Sequence, residues 1–332
     1  MSNLGGKDPI FCRRPDASGG DSLSRRRPDA SGATAMREDP REAFRWRRSA
    51  HLSLLVKEGI AELVAVSVRA GPEAILERGG EAPGSDPAVA RSTPSGRGWV
   101  ARIVLGDGTP AVLRRYRRGG MAGKLLPDLF LSARRAVAEV AAAGGARAAG
   151  APVSEPLCAI VERRGLAAAL YLLSREVEGG VPLADALREA SAEEAGSLLH
   201  SAARAVKQCH DAGLVHRDLN LGNILAVRSP RPGRPSADIF EEEMLVIDLD
   251  RSRMKPRGLA DRERLTGLCR LARSHEKTFG RSGPWGPDPI RSLITAYASG
   301  DSSLEGRLRA MLPRQERSMR LHRLGWWLSR GR

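Results

Sequence analysis

Val215-His216-Arg217-Asp218-Leu219-Asn220-Leu221-Gly222-Asn223-Ile224-Leu225 is the stretch on which the fold turns, and Val246-Ile247-Asp248-Leu249-Asp250 completes it. Together they spell H-R-D-x-x-x-x-N, followed 25 residues after Asn223 by an aspartate at the end of an apolar run. Phosphoryl transfer asks for such a set. It needs one carboxylate to orient an attacking hydroxyl or accept its proton, and two oxygen ligands to hold magnesium against a triphosphate. Asp218 suits the first role. Asn223 and Asp248 suit the second, because magnesium takes hard oxygen donors. A lone H-R-D could equally be a polar loop whose Asp and Asn cap turns; Asn223 at its spacing and a strand ending in Asp248 argue against that.

Working outward, the flanking elements agree. Trp99–Leu105 and Ala111–Tyr116 are strand-like runs joined by Gly106-Asp107-Gly108, a hairpin signal. An Ala-rich helical stretch follows at 131–149, then strand-like Leu157–Glu162 and Ala168–Leu173. Ser191–Gly213 has apolar residues at helical spacing and stops at a glycine. Short β-like runs Ile224–Val227 and Met244–Ile247 flank a proline-rich loop at 228–237, and helices are expected over most of 261–332. The catalytic loop resembles that of the protein-kinase-like fold position for position. The resemblance implies an α+β, bilobal architecture: a β-rich N-lobe over 51–177, a mainly helical C-lobe over 178–332, and ATP with magnesium as cofactors.

The same resemblance implies further site residues. Gly96 and Gly98, in Ser95-Gly96-Arg97-Gly98-Trp99-Val100, fall where a glycine-rich turn covers phosphates, although a plain flexible turn reads the same. Arg114 stands where kinases carry a phosphate-binding lysine. It keeps a permanent charge and paired donors, with Glu139 as the candidate helix partner or else an exposed helix glutamate. Ser174–Gly180 resembles a hinge, which implies that backbone groups of Arg175 and Val177 meet adenine.

Departures from protein kinases narrow the family. The metal strand reads I-D-L-D rather than D-F-G, no A-P-E follows, and Asn220 stands where Ser/Thr kinases have Lys. Val112–Leu125 (V-L-R-R-Y-R-R-G-G-M-A-G-K-L), D-L-N-L-G-N-I-L, I-D-L-D-R and Arg264–Lys277 resemble the lipopolysaccharide kinase family, in particular 3-deoxy-D-manno-octulosonic acid (Kdo) kinases. That resemblance implies ATP-dependent phosphorylation of a sugar hydroxyl in the lipopolysaccharide inner core, on Kdo-lipid A, at the cytoplasmic face of the inner membrane. Basic residues at the site suit an anionic substrate; Arg115, Arg117, Arg118 and Lys124 are candidates, a solvated basic loop being the plainer reading. Two alternatives stay open: a kinase-fold phosphotransferase for a protein or another small molecule, and a non-catalytic pseudokinase module. Asp250 either adds metal or catalytic-loop contacts or caps a turn.

Composition sets the outer limits. The chain has 332 residues, 41% apolar, and a net charge of +15. That is enough apolar material for a sizeable core, which excludes a wholly disordered chain. The charge predicts an anionic partner, and with 4% aromatics nucleic acid is disfavoured, since single-strand binders interleave aromatics with basic residues. Cys12, Cys158, Cys209 and Cys269 lack zinc-type spacing and fit reduced thiols in a cytosol. No secretory signal and no membrane-spanning run is visible. Residues 1–50 are expected to be a disordered arm, with Arg13–Gly19 repeated as Arg26–Gly32 and a start at Met36 as a further reading. Met319–Arg332, around Trp326-Trp327, either lies against an anionic membrane surface or packs its tryptophans on the C-lobe.

Overall fold

Continuous apolar runs in Leu157–Val161 and Ala168–Leu173 predict strands buried on both faces, and the sheet is built that way. In the computed structural model the described residues are 44–49, 51–68, 71–77, 92–95, 98–118, 128–230, 240–280 and 282–313. Strands β1 (Phe44–Arg48), β2 (Leu52–Lys57), β3 (Ser92–Ser95), β4 (Gly98–Val104), β5 (Pro110–Arg115), β6 (Pro156–Arg164) and β7 (Ala167–Arg175) form one antiparallel sheet in the order β1-β2-β6-β7-β5-β4-β3. Alternate side chains serve opposite faces. Leu54, Val56, Leu113, Ile160, Tyr171 and Leu173 pack on the side of helices α1 (Ala61–Ser67) and α2 (Pro72–Glu77). Leu55, Ala159, Leu170 and Leu172 pack on the other, with Ala136 and Val140 of α3 (Arg134–Ala148). At the β4–β5 hairpin, Gly108 takes φ 83° and the Asp107 carboxylate accepts the Thr109 N–H at 2.9 Å.

Helix α3 is shared between two cores, and its alanines explain how. Ala136 and Val140 face the sheet, whereas Ala142, Ala143 and Ala146 belong to the helical core. Small side chains let it approach both; a Cβ on Gly145 would lie 3.3 Å from Met254 Cγ. The helical side contains α4 (Leu183–Glu189), α5 (Ala192–Asp211), α6 (Asp261–Phe279), α7 (Pro289–Ala298) and α8 (302–313). Leu198, Ala202, Val206, Leu268, Leu293 and Tyr297 fill its centre. Ser191 starts α5 with a capping box, its N–H donating to Glu194 Oε2 at 2.8 Å and its hydroxyl accepting the Glu194 N–H. Gly213 ends it at φ 90°, tucked so close that a Cβ would lie 2.4 Å from Lys255 O. That contact sets the pairing of β9 (Leu214–Val215) with β12 (Arg253–Met254). β10 (Ile224–Pro230) and β11 (Phe240–Val246) pair antiparallel, with β8 (Val181–Pro182) on the edge.

The chain is thus α+β and kinase-like, a sheet lobe against a helical one. Differences from the sequence reading are local. Strand β1 lies inside the stretch expected to be a disordered arm, because Phe44 packs on the sheet and the strand pairs with β2. The apolar run 52–76 is a strand and two short helices, broken at Gly59 and Gly71, both at positive φ. β10 reaches Pro230, into the expected loop. Residues 1–43 and 314–332, with the Met319–Arg332 segment, lie outside the described residues, and among the described ones no helix is long and apolar enough to cross a membrane. Cys158 and Cys209 are free, buried thiols, and Cys269 is buried as well.

Buried histidines make the fold acid-sensitive. His210 Nδ1 meets the Tyr297 hydroxyl at 3.0 Å, and burial drives its pKa to about 3. His275 stacks on Trp285 at 4.6 Å, and burial lowers it to about 4. Both stay neutral when folded, while unfolded imidazoles protonate near the ordinary value of about 6.5. Their stabilisation is therefore complete above that value and is lost as pH falls toward the folded values. The thermal midpoint should drop steadily from pH 7 to pH 4.5 in a scanning-calorimetry series; a flat profile contradicts neutral burial.

Candidate active site

The catalytic loop is rigid because its polar groups satisfy one another. His216 Nδ1 accepts the Asp218 N–H at 3.1 Å, so Nε2 carries the proton and donates to Ile247 O at 3.1 Å. Burial lowers the His216 pKa, against the pull of Ile247 O and the carboxylates of Asp248 and Asp218, which keeps this bridge neutral. The Asp218 carbonyl accepts from Asn220 Nδ2 at 3.0 Å and Asn223 Nδ2 at 2.8 Å. Asn223 O in turn accepts the Ile247 N–H at 2.9 Å. The three residues singled out in the sequence are thereby tied together: Asp218 to Asn223, and Asn223 to the residue before Asp248.

Asp248 sits at φ 56°, a left-handed conformation that Asp tolerates better than most residues. Its Oδ1 is buried without a hydrogen bond among the described residues, and Arg114 Nη2 stands 3.3 Å away. Asn223 Oδ1 is left over after its amide nitrogen has donated. A hard divalent cation suits this donor set: an orphaned carboxylate oxygen and an amide oxygen on a rigid loop.

Arg114 on β5 and Glu139 on α3 pair at 2.7 Å, with Glu139 only 2% exposed. The lysine position of kinases is thus filled by an arginine that does reach the helix. Burial opposes its charge, but Glu139 and Asp248 outweigh burial and hold the guanidinium above its ordinary pKa. Burial also pushes the Glu139 carboxyl up, against Arg114 and Tyr116. We take the pair as ionised, since arginine does not give up its proton in proteins. Tyr116 donates its hydroxyl to Glu139 Oε2 at 2.5 Å and lies under Arg114, 4.9 Å from centroid to guanidinium carbon.

Asp250 is neither a turn cap nor an orphan. Arg135 grips it with Nε–Oδ1 at 2.7 Å and Nη2–Oδ2 at 2.5 Å, and also donates to Arg117 O at 2.9 Å. Its guanidinium lies over Tyr116 and Phe130 as well. Sequence reading missed Arg135 and Tyr116. The signal was there for Arg135, four residues before Glu139 on the same helix face.

Other expected residues are placed less fully. Ser95 pairs with Gly98 across β3–β4, and Gly96 lies outside the described residues. The Arg175 N–H is donated to Glu155 O at 2.9 Å, and Val177 O accepts the Gly180 N–H at 3.1 Å, so those two groups are committed within the protein. The basic residues expected to attract substrate are paired instead. Arg115 bonds Glu73 and Arg117 bonds Asp128, while the Arg118 guanidinium donates to Leu129 O over the Phe130 ring and its main-chain N–H donates to Asp128 Oδ1. Lys124 lies outside the described residues.

A sheet lobe carrying an Arg–Glu pair, set against a loop that ties Asp218, Asn223 and the residue before Asp248 together, suits a kinase-fold phosphotransferase. Residues 88–297 match the lipopolysaccharide kinase (Kdo/WaaP) family, and the chain belongs to that family. A 3-deoxy-D-manno-octulosonic acid kinase of Vibrio cholerae is 30% identical over 208 residues, 61% of this chain and 80% of the relative. That of Stenotrophomonas maltophilia is 35% identical over 193 residues, 56% of this chain and 68% of its own. A solved structure of WaaP in complex with acyl carrier protein aligns with 79% of this chain and 98% of its own, at 18% identity and a TM-score of 0.44. The chain is a lipopolysaccharide kinase.

The Arg135–Asp250 grip should register in a double-mutant cycle. Arg135→Ala, Asp250→Asn and the double variant are expected to show a coupling of about 1–3 kcal/mol in unfolding free energy by denaturant titration. Additive single effects would dissolve the bridge.

Proposed function

We propose that the chain transfers the γ-phosphoryl group of magnesium-ATP to a hydroxyl of a Kdo residue in the lipopolysaccharide inner core, working at the cytoplasmic face of the inner membrane. The observation that carries the chemistry is the hydrogen-bonded tie from Asp218 through Asn223 to the Asp248 strand. The acceptor is drawn from the names of the relatives, which are Kdo kinases.

In this reading the Asp218 carboxylate, on the exposed rim of the loop, orients the sugar hydroxyl and takes its proton as the bond to phosphorus forms. Asp248 and Asn223 would hold magnesium through their oxygens. Bound there, the ion supplies neutralisation of charge on the phosphate oxygens. Arg114 reaches the triphosphate from the sheet side while Glu139 and Tyr116 keep its fork aimed. The same reading assigns Gly98, and Gly96 outside the described residues, to the phosphates, and to the adenine edge the main-chain groups of Arg175 and Val177 other than the Arg175 N–H and the Val177 carbonyl. The Kdo-lipid A acceptor is amphiphilic, so contact with an anionic membrane surface is part of the same reading, supported by the +15 charge.

Labelled γ-phosphate should pass to Kdo-bearing lipid A precursor and not to a generic protein acceptor. Asp218→Ala should lower turnover by roughly 10² or more, the usual scale for a lost general base. Asp248→Ala should abolish transfer. An Asp218→Ala rate equal to the parent's removes that residue from the role, and label on protein alone removes the sugar acceptor.

A further inference from the structure

Of the cations first expected to meet the acceptor, Arg115 is paired with Glu73 and Arg117 with Asp128, and the Arg118 guanidinium is bound to the Leu129 carbonyl, which leaves the question of what faces an anionic sugar beside Asp218. Helix α6 answers it. Its Ser274 hydroxyl accepts the Leu221 N–H at 3.1 Å, pinning one face of the helix against the catalytic loop. Arg270, one turn earlier on that face, donates to His216 O at 3.4 Å. Arg273 folds back along the helix, its Nε on Cys269 O at 3.1 Å. Arg217 projects from the loop itself, exposed, next to Asp218.

None of these three guanidinium groups has a carboxylate within ion-pair distance among the described residues; the contacts of Arg270 and Arg273 are to main-chain carbonyls. They feel one another. Burial, and then the charges of Arg217 and Arg273, hold the Arg270 guanidinium below its ordinary value, while Asp218 pulls the other way. Three cations thus share their space with one carboxylate, an arrangement that a bound anion relieves. Planar forks also match the oxygens of a carboxylate or phosphate in pairs. The cluster lies on the helical side of Asp218, whereas Arg114 serves Asp248 from the sheet side, so it is placed for the acceptor and not for the nucleotide.

We propose that Arg217, Arg270 and Arg273 form an oxyanion subsite beside Asp218 that holds a carboxylate or phosphate of the acceptor sugar. The inference rests on the reading of Asp218 as the residue that meets the acceptor hydroxyl. It sets the substrate class, a sugar acid or sugar phosphate, and orients the ring by its charged group.

Titration calorimetry on the full chain with three probes tests it: free Kdo, its neutral methyl ester, and glucosamine 1-phosphate. One of the two anions should bind about tenfold or more tighter than the ester, the scale of a charge-assisted pair. Which one wins tells carboxylate from phosphate. In the Arg217→Gln/Arg273→Gln double variant that preference should shrink to about twofold, with the Kd for ATP unchanged as a control on folding. Arg270→Lys, which keeps charge near the loop, should retain part of it. A preference that survives the double variant, or anions that bind no better than the ester, overturns the subsite. Wild-type protein that binds an anion through these arginines yet transfers no phosphate to Kdo-lipid A leaves the subsite standing and removes the assigned acceptor instead.

Discussion

The Arg114 guanidinium, held between Glu139 and Asp248, is the interaction on which the rest of the molecule depends. It joins the central sheet, helix α3 and the metal strand at one point. Glu139 is almost wholly enclosed, so a missing partner would leave a bare buried carboxylate, a loss of about 3–5 kcal/mol. The ion pair therefore has a structural role of its own. It makes the placement of α3 conditional on a cation at position 114, and the Tyr116 hydroxyl takes up the second carboxylate oxygen so that nothing there stays unpaired.

Arg135 and Asp250 repeat the device one helical turn away. This fork comes from α3 and grips a carboxylate two residues beyond Asp248, so the segment after β11 is held to the sheet through Arg114 at Asp248 and to the helix through Arg135 at Asp250. Tyr116 lies against both guanidinium groups, which stacks two cations on one ring and fixes their planes. The alanine-rich character of α3 belongs to the same arrangement. Only small side chains let one helix touch the sheet, the helical core and Met254 together. On the far side of the catalytic loop the pairing changes, because Arg270 and Arg273 of α6 bond main-chain carbonyls and, with Arg217, have no carboxylate within ion-pair distance among the described residues.

Much of this was legible in the sequence, for physical reasons that can be named. The spacing that singles out Asp218, Asn223 and Asp248 is one that local hydrogen bonds can close, from Asn223 to the Asp218 carbonyl and from the Ile247 N–H to Asn223. The β4–β5 hairpin followed from Asp107-Gly108, and the end of α5 from Gly213. Arg114 and Glu139 were paired by resemblance, and their separation of 25 residues gives no local sign of contact. Over residues 52–76 the apolar spacing serves a strand and two short helices in succession, which the fold separates.

What the sequence by itself determined is the local chemistry: the H-R-D loop, the continuous apolar runs of the central strands, the ends of α5 and the family. Only the tertiary structure decided which charges are spent and which are free. Arg115, Arg117 and Arg118 read as a basic loop, yet each finds a partner brought in from elsewhere in the fold. Arg217, Arg270 and Arg273 carried no signal, since 54 Lys and Arg residues give no hint of which go unpaired. Pairing depends on distances across the fold, and a guanidinium has the same chemistry in sequence whether or not a carboxylate waits for it.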